Sequence, residues 1–122
     1  MSLSKGYKRY IKSEKWFGIR DKVLKRDNYQ CQYCKAVGVT LHVHHLTYDN
    51  FMHERLKDLT TCCKPCHNIL DKIRKTLKKI TESQRAKKDA VLDFYGYPHK
   101  MKKDREVLRG LLITLENLEE GR

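Results

Sequence analysis

Four cysteines in two Cys-x-x-Cys pairs, Cys31-Gln32-Tyr33-Cys34 and Cys63-Lys64-Pro65-Cys66, bracket the tandem histidines His44 and His45, and the second pair runs directly into His67. A Cys-x-x-Cys turn offers two sulfurs from one tight knuckle, and two knuckles complete the tetrahedron that zinc forms with thiolates at ~2.3 Å. Cys31, Cys34, Cys63 and Cys66 are therefore the candidate ligands of a structural zinc, which would contribute folding energy outright. The fifth thiol, Cys62, would give a Cys-x-x-x-Cys spacing with Cys66 and reads as a small buried apolar residue. With the sulfurs assigned, the imidazoles remain. Imidazole nitrogen suits both a catalytic divalent ion and general-base work near neutral pH. The layout points to two metal sites, one structural and one catalytic.

A chain of 122 residues is one domain long, and so small a domain gains from a metal staple. Lys and Arg number 27 against 15 Asp and Glu, a formal net charge of +12, so the natural partner is a polyanion and nucleic acid is the leading candidate. No apolar run approaches the roughly 20 residues that a membrane-spanning helix needs, and no signal-peptide core stands near Met1. The expectation is a soluble, cytoplasmic protein with no membrane partner. Cytoplasmic thiols stay reduced, which favours metal ligands over disulfides for the paired cysteines.

The elements that would position these residues form an α+β chain, mainly helical. We divide it into a basic leader over 1–12, a candidate catalytic unit over 13–80 and a helical extension over 81–122. Ser13 is a good N-cap, and Trp16, Ile19, Val23 and Leu24 recur at helical spacing, so a helix should end near Arg26 or Asp27. The first knuckle follows, with a turn or partner strand at Ala36 to Val39. Leu41 to His45 alternates as a short strand, Thr47 to Lys57 has no period and reads as a loop, and a second short strand falls around Leu59 to Thr61. Pro65 suits the first turn of a helix whose buried face is Leu70, Ile73, Leu77 and Ile80, which puts His67 on that first turn. Its other face carries Lys72, Lys75, Lys78 and Lys79, either a phosphate-tracking surface or a solvated one. Thr81 with Gln84 resembles a capping box opening a helix to Phe94 or Tyr95, which Gly96-Tyr97-Pro98 breaks. In a last helix ending near Glu119, Leu108, Leu111, Leu115 and Leu118 form a seam. It packs on its own chain by default, and a homodimer through this C-terminal helix is the alternative.

Val43-His44-His45-Leu46-Thr47-Tyr48, Asp58-Leu59, and Cys63 to His67, preceded by Arg26-Asp27 and the first cysteine pair, closely resemble the HNH endonuclease family. The resemblance spans roughly Trp16 to Leu77 and leaves the C-terminal third unexplained. It implies a ββα-metal (HNH, His-Me finger) core in which two strands and a helix hold one divalent ion over a phosphodiester of DNA, beside a four-cysteine zinc site. Matched by motif position, His44 falls on a metal ligand, His45 on the general base and His67 on the second ligand. Asp58 stands where the family has an Asn that orients the base, and a carboxylate oxygen accepts the same imidazole N–H. The resemblance also implies 5′-phosphate and 3′-hydroxyl products.

The chemistry asks for those residue types on its own account. Hydrolysing a phosphodiester needs a base to deprotonate water and a cation to hold the charge developing on the phosphoryl and leaving oxygens. Adjacent strand residues point to opposite faces, so His44 can ligate while His45 addresses water, and the two rings converge only if the strand end bends or bulges. Nitrogen ligands suit manganese, nickel, cobalt and zinc better than magnesium. Asp71 lies one helical turn after His67 and could share its ion, although a carboxylate paired with a neighbouring lysine or the helix dipole is the plainer reading. His42 reads as a surface strand residue or a group behind the ligands, His53 and His99 as surface residues, and Glu54 as a loop pin of unknown partner. The substrate expected is double-stranded DNA. The rival readings are a zinc-stabilised nucleic-acid-binding module without catalysis and an adaptor that uses the leucine seam.

Overall fold

The Ser13 hydroxyl accepts a hydrogen bond from the Trp16 backbone N–H at 3.2 Å and so starts a helix over Glu14–Arg26, which ends at Asp27. Side-chain capping and the apolar stripe of Trp16, Val23 and Leu24, all buried, account for both its limits and its orientation. In the computed structural model, which describes residues 5–96 and 102–121, this helix is α2. It is preceded by a short α1 (Lys5–Tyr10) and followed by β1 (Leu41–His45), β2 (Leu59–Cys63), α3 (Lys64–Lys79), α4 (Arg85–Tyr95) and α5 (Arg105–Glu119). The class is mixed α+β and mainly helical, as the patterning indicates. Tyr97, Pro98 and His99 lie outside the described residues.

β1 and β2 form a two-stranded antiparallel sheet with Leu41 opposite Cys63, His44 opposite Thr60 and His45 opposite Leu59. The register runs unbroken through both strands, so there is no bulge at the histidines and their side chains leave opposite faces. A 3-10 turn (Leu56–Asp58) leads into β2, and β2 runs straight into α3, whose first turn carries Pro65.

The Arg26-Asp27 pair ties α2 to this unit. Arg26 donates to the carbonyls of Leu56 at 2.6 Å and Leu59 at 2.9 Å, while the Asp27 carboxylate accepts from Thr61 N–H at 3.1 Å. Arg26 also grips Asp27 through two hydrogen bonds of 2.8 Å, which makes one clamp of the pair. These bonds satisfy backbone groups at the edge of a narrow sheet that would otherwise need water.

Two cores result. Tyr10, Trp16, Val23 and Leu59 bury one cluster between the N-terminal helices and the sheet. The other joins Leu70 and Ile73 of α3 to Leu108, Leu111 and Leu115 of α5, with the cysteines at its end. The leucine seam of α5 is thus buried against its own chain. A Cβ at Gly110 would lie 3.2 Å from the Tyr95 hydroxyl, so the tip of that ring packs closely on α5 at this position. Gly96 closes α4 in the left-handed region at φ 70°.

Part of the basic leader is helical, where the sequence pattern places its first helix only after Ser13. Its residues form α1 because Tyr7 stacks on Phe51 with ring centroids 5.4 Å apart, and Tyr10 meets the same ring edge-on at 5.0 Å. Tertiary aromatic contact, which periodicity over six residues cannot reveal, orders this turn. No described helix is long and apolar enough to cross a membrane.

Candidate metal centres and the histidine pair

The two knuckles meet. A backbone bond from Cys31 N to Ala36 O closes the first knuckle and one from Gln32 N to Thr61 O lays it against β2, both 3.0 Å, while the second knuckle forms the start of α3. Their four Sγ atoms lie within 4.8 Å of one another, and Cys34 and Cys63 are 3.5 Å apart. Zinc–sulfur bonds of ~2.3 Å require tetrahedral edges of about 3.8 Å, so the set fits a single ion with small adjustment. Cys62 is not among the four and is fully buried, in keeping with an apolar role; burial pushes its thiol pKa up.

Donors already surround the sulfurs. Burial works to raise the Cys31 pKa, but N–H groups of Cys34, Cys63 and Tyr33 outweigh it and bring the thiol down to about 6. The Tyr33 and Cys34 amides stand 3.4 Å from its sulfur. The two thiols are thus pulled in opposite directions, Cys31 toward the thiolate by its N–H donors and Cys66 up to about 12 by burial. A cation would be needed for all four to ionise together.

A second cluster forms between β1 and α3. One donor atom each from His44, His67 and Asp71 lies within 4.8 Å of the others, and the His67 Nε2 to Asp71 Oδ1 separation is 3.8 Å. The placement follows from the elements: His44 faces α3 from the strand, and His67 and Asp71 are one turn apart on the helix. Burial, then the nearby charges of His67, His45 and Arg74, push His44 down to about 3, so its imidazole is neutral and free to ligate. Asp71 thus joins the pair expected from sequence, although Arg74 also approaches its Oδ1 at 3.8 Å and supplies the cationic neighbour of the plainer reading. Two nitrogens and one carboxylate oxygen make a harder donor set than two imidazoles, and one more suited to magnesium or manganese. His42 is half-buried: its ring centroid is 5.0 Å from that of His67, and its Nε2 is buried with no hydrogen-bond partner among the described residues.

His45 faces the other way. Its ring stacks between Trp16 at 5.0 Å and Tyr48 at 4.7 Å, and its Nε2 meets Glu54 Oε2 at 2.7 Å. Glu54 also accepts from the Tyr10 hydroxyl at 2.5 Å, and its side chain is fully buried. The structure therefore corrects the assignment of Asp58 as the group orienting His45. Asp58 accepts from the Arg55 N–H and the Asn50 amide, each at 3.0 Å, and so fastens the loop between the strands to the start of β2. Its two near partners compete successfully for the carboxylate, and the ring nitrogen of His45 takes a different one.

No family model, curated protein or solved structure matches this chain. Sequence reasoning missed Glu54 as the partner of His45, and missed Trp16 and Tyr48 as its walls. Trp16 carries a core pattern, and Glu54 stands in an aperiodic loop, so neither signals its contact. The lysines of α3 are all exposed, as are Lys15, Lys22 and Lys25 of α2.

Proposed function

We propose that this protein is a metal-dependent endonuclease of the HNH type that hydrolyses phosphodiester bonds of double-stranded DNA. The observation that carries the reading is the convergence of His44, His67 and Asp71 within 4.8 Å, while His45, the next residue of β1, leaves the strand on its other face and is held by a carboxylate at 2.7 Å. His44 and His67, with Asp71, hold the ion, and the cysteine quartet holds a structural zinc. When bound, the catalytic ion would act as Lewis acid toward the phosphoryl and leaving oxygens.

His45 is the general base. With Nε2 committed to Glu54, Nδ1 is the nitrogen left to take a proton from the attacking water. The carboxylate fixes the tautomer and stabilises the imidazolium that forms. Trp16 and Tyr48 hold the ring plane. The exposed lysines of α3 supply contacts to backbone phosphates, which position a duplex without reading its sequence.

The test is supercoiled plasmid incubated with magnesium, manganese, nickel, cobalt or zinc, with and without chelator. Metal-dependent conversion to nicked circles is expected, because one active site cuts one strand. A second reading, a zinc-stabilised DNA-binding module without turnover, is favoured by the 4% exposure of His45. It predicts a shifted but uncut plasmid in every metal.

A further inference from the structure

Arg105, the first residue of α5, reaches back across the chain to the sulfur cluster. Its Nε donates to Cys66 Sγ at 3.2 Å and its Nη2 to Cys63 Sγ at 3.5 Å. One planar guanidinium thus spans both sulfurs of the second knuckle, a fork that an ammonium does not reproduce. Among the described residues no carboxylate lies in ion-pair distance of Arg105, and the neighbouring Glu106 is committed to Arg109.

The side chain is aimed there by two features. Asp104 caps α5 by accepting from Glu106 N–H at 2.8 Å, which sets the start of the helix. Leu108, one turn on and fully buried, packs in the core shared with Leu70 and Ile73.

We propose that Arg105 is a built-in counter-cation of the sulfur metal centre, setting how tightly the centre retains its ion and tying the C-terminal helix to metal occupancy. Four thiolates around a divalent ion leave a net charge of about −2, which a partly buried site tolerates poorly. The N–H groups of Tyr33 and Cys34 offset part of it at Cys31 by dipole alone. At the other knuckle a full positive charge does so, and groups behind the ligands typically alter metal affinity by about 10- to 100-fold. The inference rests on the sulfur centre and not on the nuclease reading.

The experiment uses the full chain loaded with zinc, and separately with cobalt, in wild type and in Arg105→Ala, Arg105→Lys and Leu108→Ala. Zinc retention is measured by competition with a chromophoric chelator. The thiolate-to-cobalt charge-transfer band reports on the sulfurs alone, because a histidine and carboxylate site has no such band. Arg105→Ala is expected to lose zinc about 10- to 100-fold more readily and to shift the band, with Arg105→Lys intermediate. Leu108→Ala should lower stability while leaving the band in place. Arg105→Lys keeps the chain's packing and decides the matter if the alanine variant fails to fold. Retention within about twofold of wild type with an unmoved band overturns the proposal, as does a Leu108→Ala variant that reproduces both changes. A wild-type chain that takes up no metal on sulfur refutes the centre itself, and this role with it.

Discussion

Glu54 Oε2 lies 2.7 Å from His45 Nε2, in a spot where Tyr10 donates to the same carboxylate and water has no access to the side chain. A buried carboxylate with two donors is held in one place, and it holds the imidazole in turn. Tyr10 and Trp16 belong to the N-terminal helices, so these helices act on the candidate base as well as on the core.

Replacing Glu54 by Gln should therefore slow plasmid cleavage while leaving metal binding intact. The amide oxygen can still accept a bond, but it no longer stabilises an imidazolium, and the variant loses a share of the roughly 100- to 10,000-fold that general-base catalysis contributes. Single-turnover rates compared with calorimetric metal affinity separate the two effects. Equal rates for the variant and wild type would remove Glu54 from the chemistry.

Asp58→Asn should act on stability instead. Burial opposes ionisation of Asp58, but the backbone N–H of Arg55, the Asn50 amide and the Arg55 guanidinium outweigh it and hold the carboxyl below its usual range. A depressed folded-state pKa gives stability that is fully present above the unfolded value of roughly 3.9 and fades as pH falls through the lower folded value. Urea unfolding should find Asp58→Asn about 1–3 kcal/mol less stable at pH 7, with the gap closing in strong acid. A gap that persists unchanged in acid would show that ionisation contributes nothing.

Much of this fold is legible in the residues. Ser13, Asp27, Pro65 and Gly96 mark element ends through local backbone chemistry, and the α3 and α5 faces repeat at helical spacing over 16 and 15 residues. The cysteine quartet is readable because a metal imposes spacing on the chain. What is not readable depends on loop conformation or on contact at a distance: Glu54 reaches His45 only once the loop closes, and α1 is ordered by Phe51. The assignment of Asp58 to His45 fails for the same reason, since its nearest donors, Asn50 and Arg55, lie in that loop. The joining of Asp71 to His44 needs the angle between β1 and α3, which one helical turn of spacing does not fix.

Metal removal should separate the two centres. Structural zinc in small domains is worth about 10–16 kcal/mol of apparent binding energy, comparable to or greater than the whole stability of a typical domain. Stripping the cysteine quartet, or mutating Cys31 or Cys66 to Ser, should abolish cooperative unfolding. His44→Ala and His67→Ala should keep one zinc per chain by elemental analysis and lose only the second, weaker divalent ion. Loss of both ions in His44→Ala would mean that the sites are not independent.

The exposed lysines of α3 should govern binding without altering the chemistry. Changing Lys72, Lys75, Lys78 and Lys79 together to Gln is expected to weaken duplex binding and to flatten its dependence on salt by roughly 0.9 in log–log slope for each phosphate no longer neutralised. Fluorescence anisotropy across a salt series measures this. An unchanged slope would make these residues a solvated face.

The most direct measurement is the single-turnover cleavage rate of His45→Ala, in manganese, with and without added imidazole. Removing the ring leaves a slot between Trp16 and Tyr48 of the right shape for the free base. Cleavage should fall by at least about 100-fold, and imidazole should restore part of it, with DNA and metal affinity unchanged. Wild-type cleavage retained by His45→Ala, or a wild-type chain that binds duplex and metal and never cuts, would contradict the account.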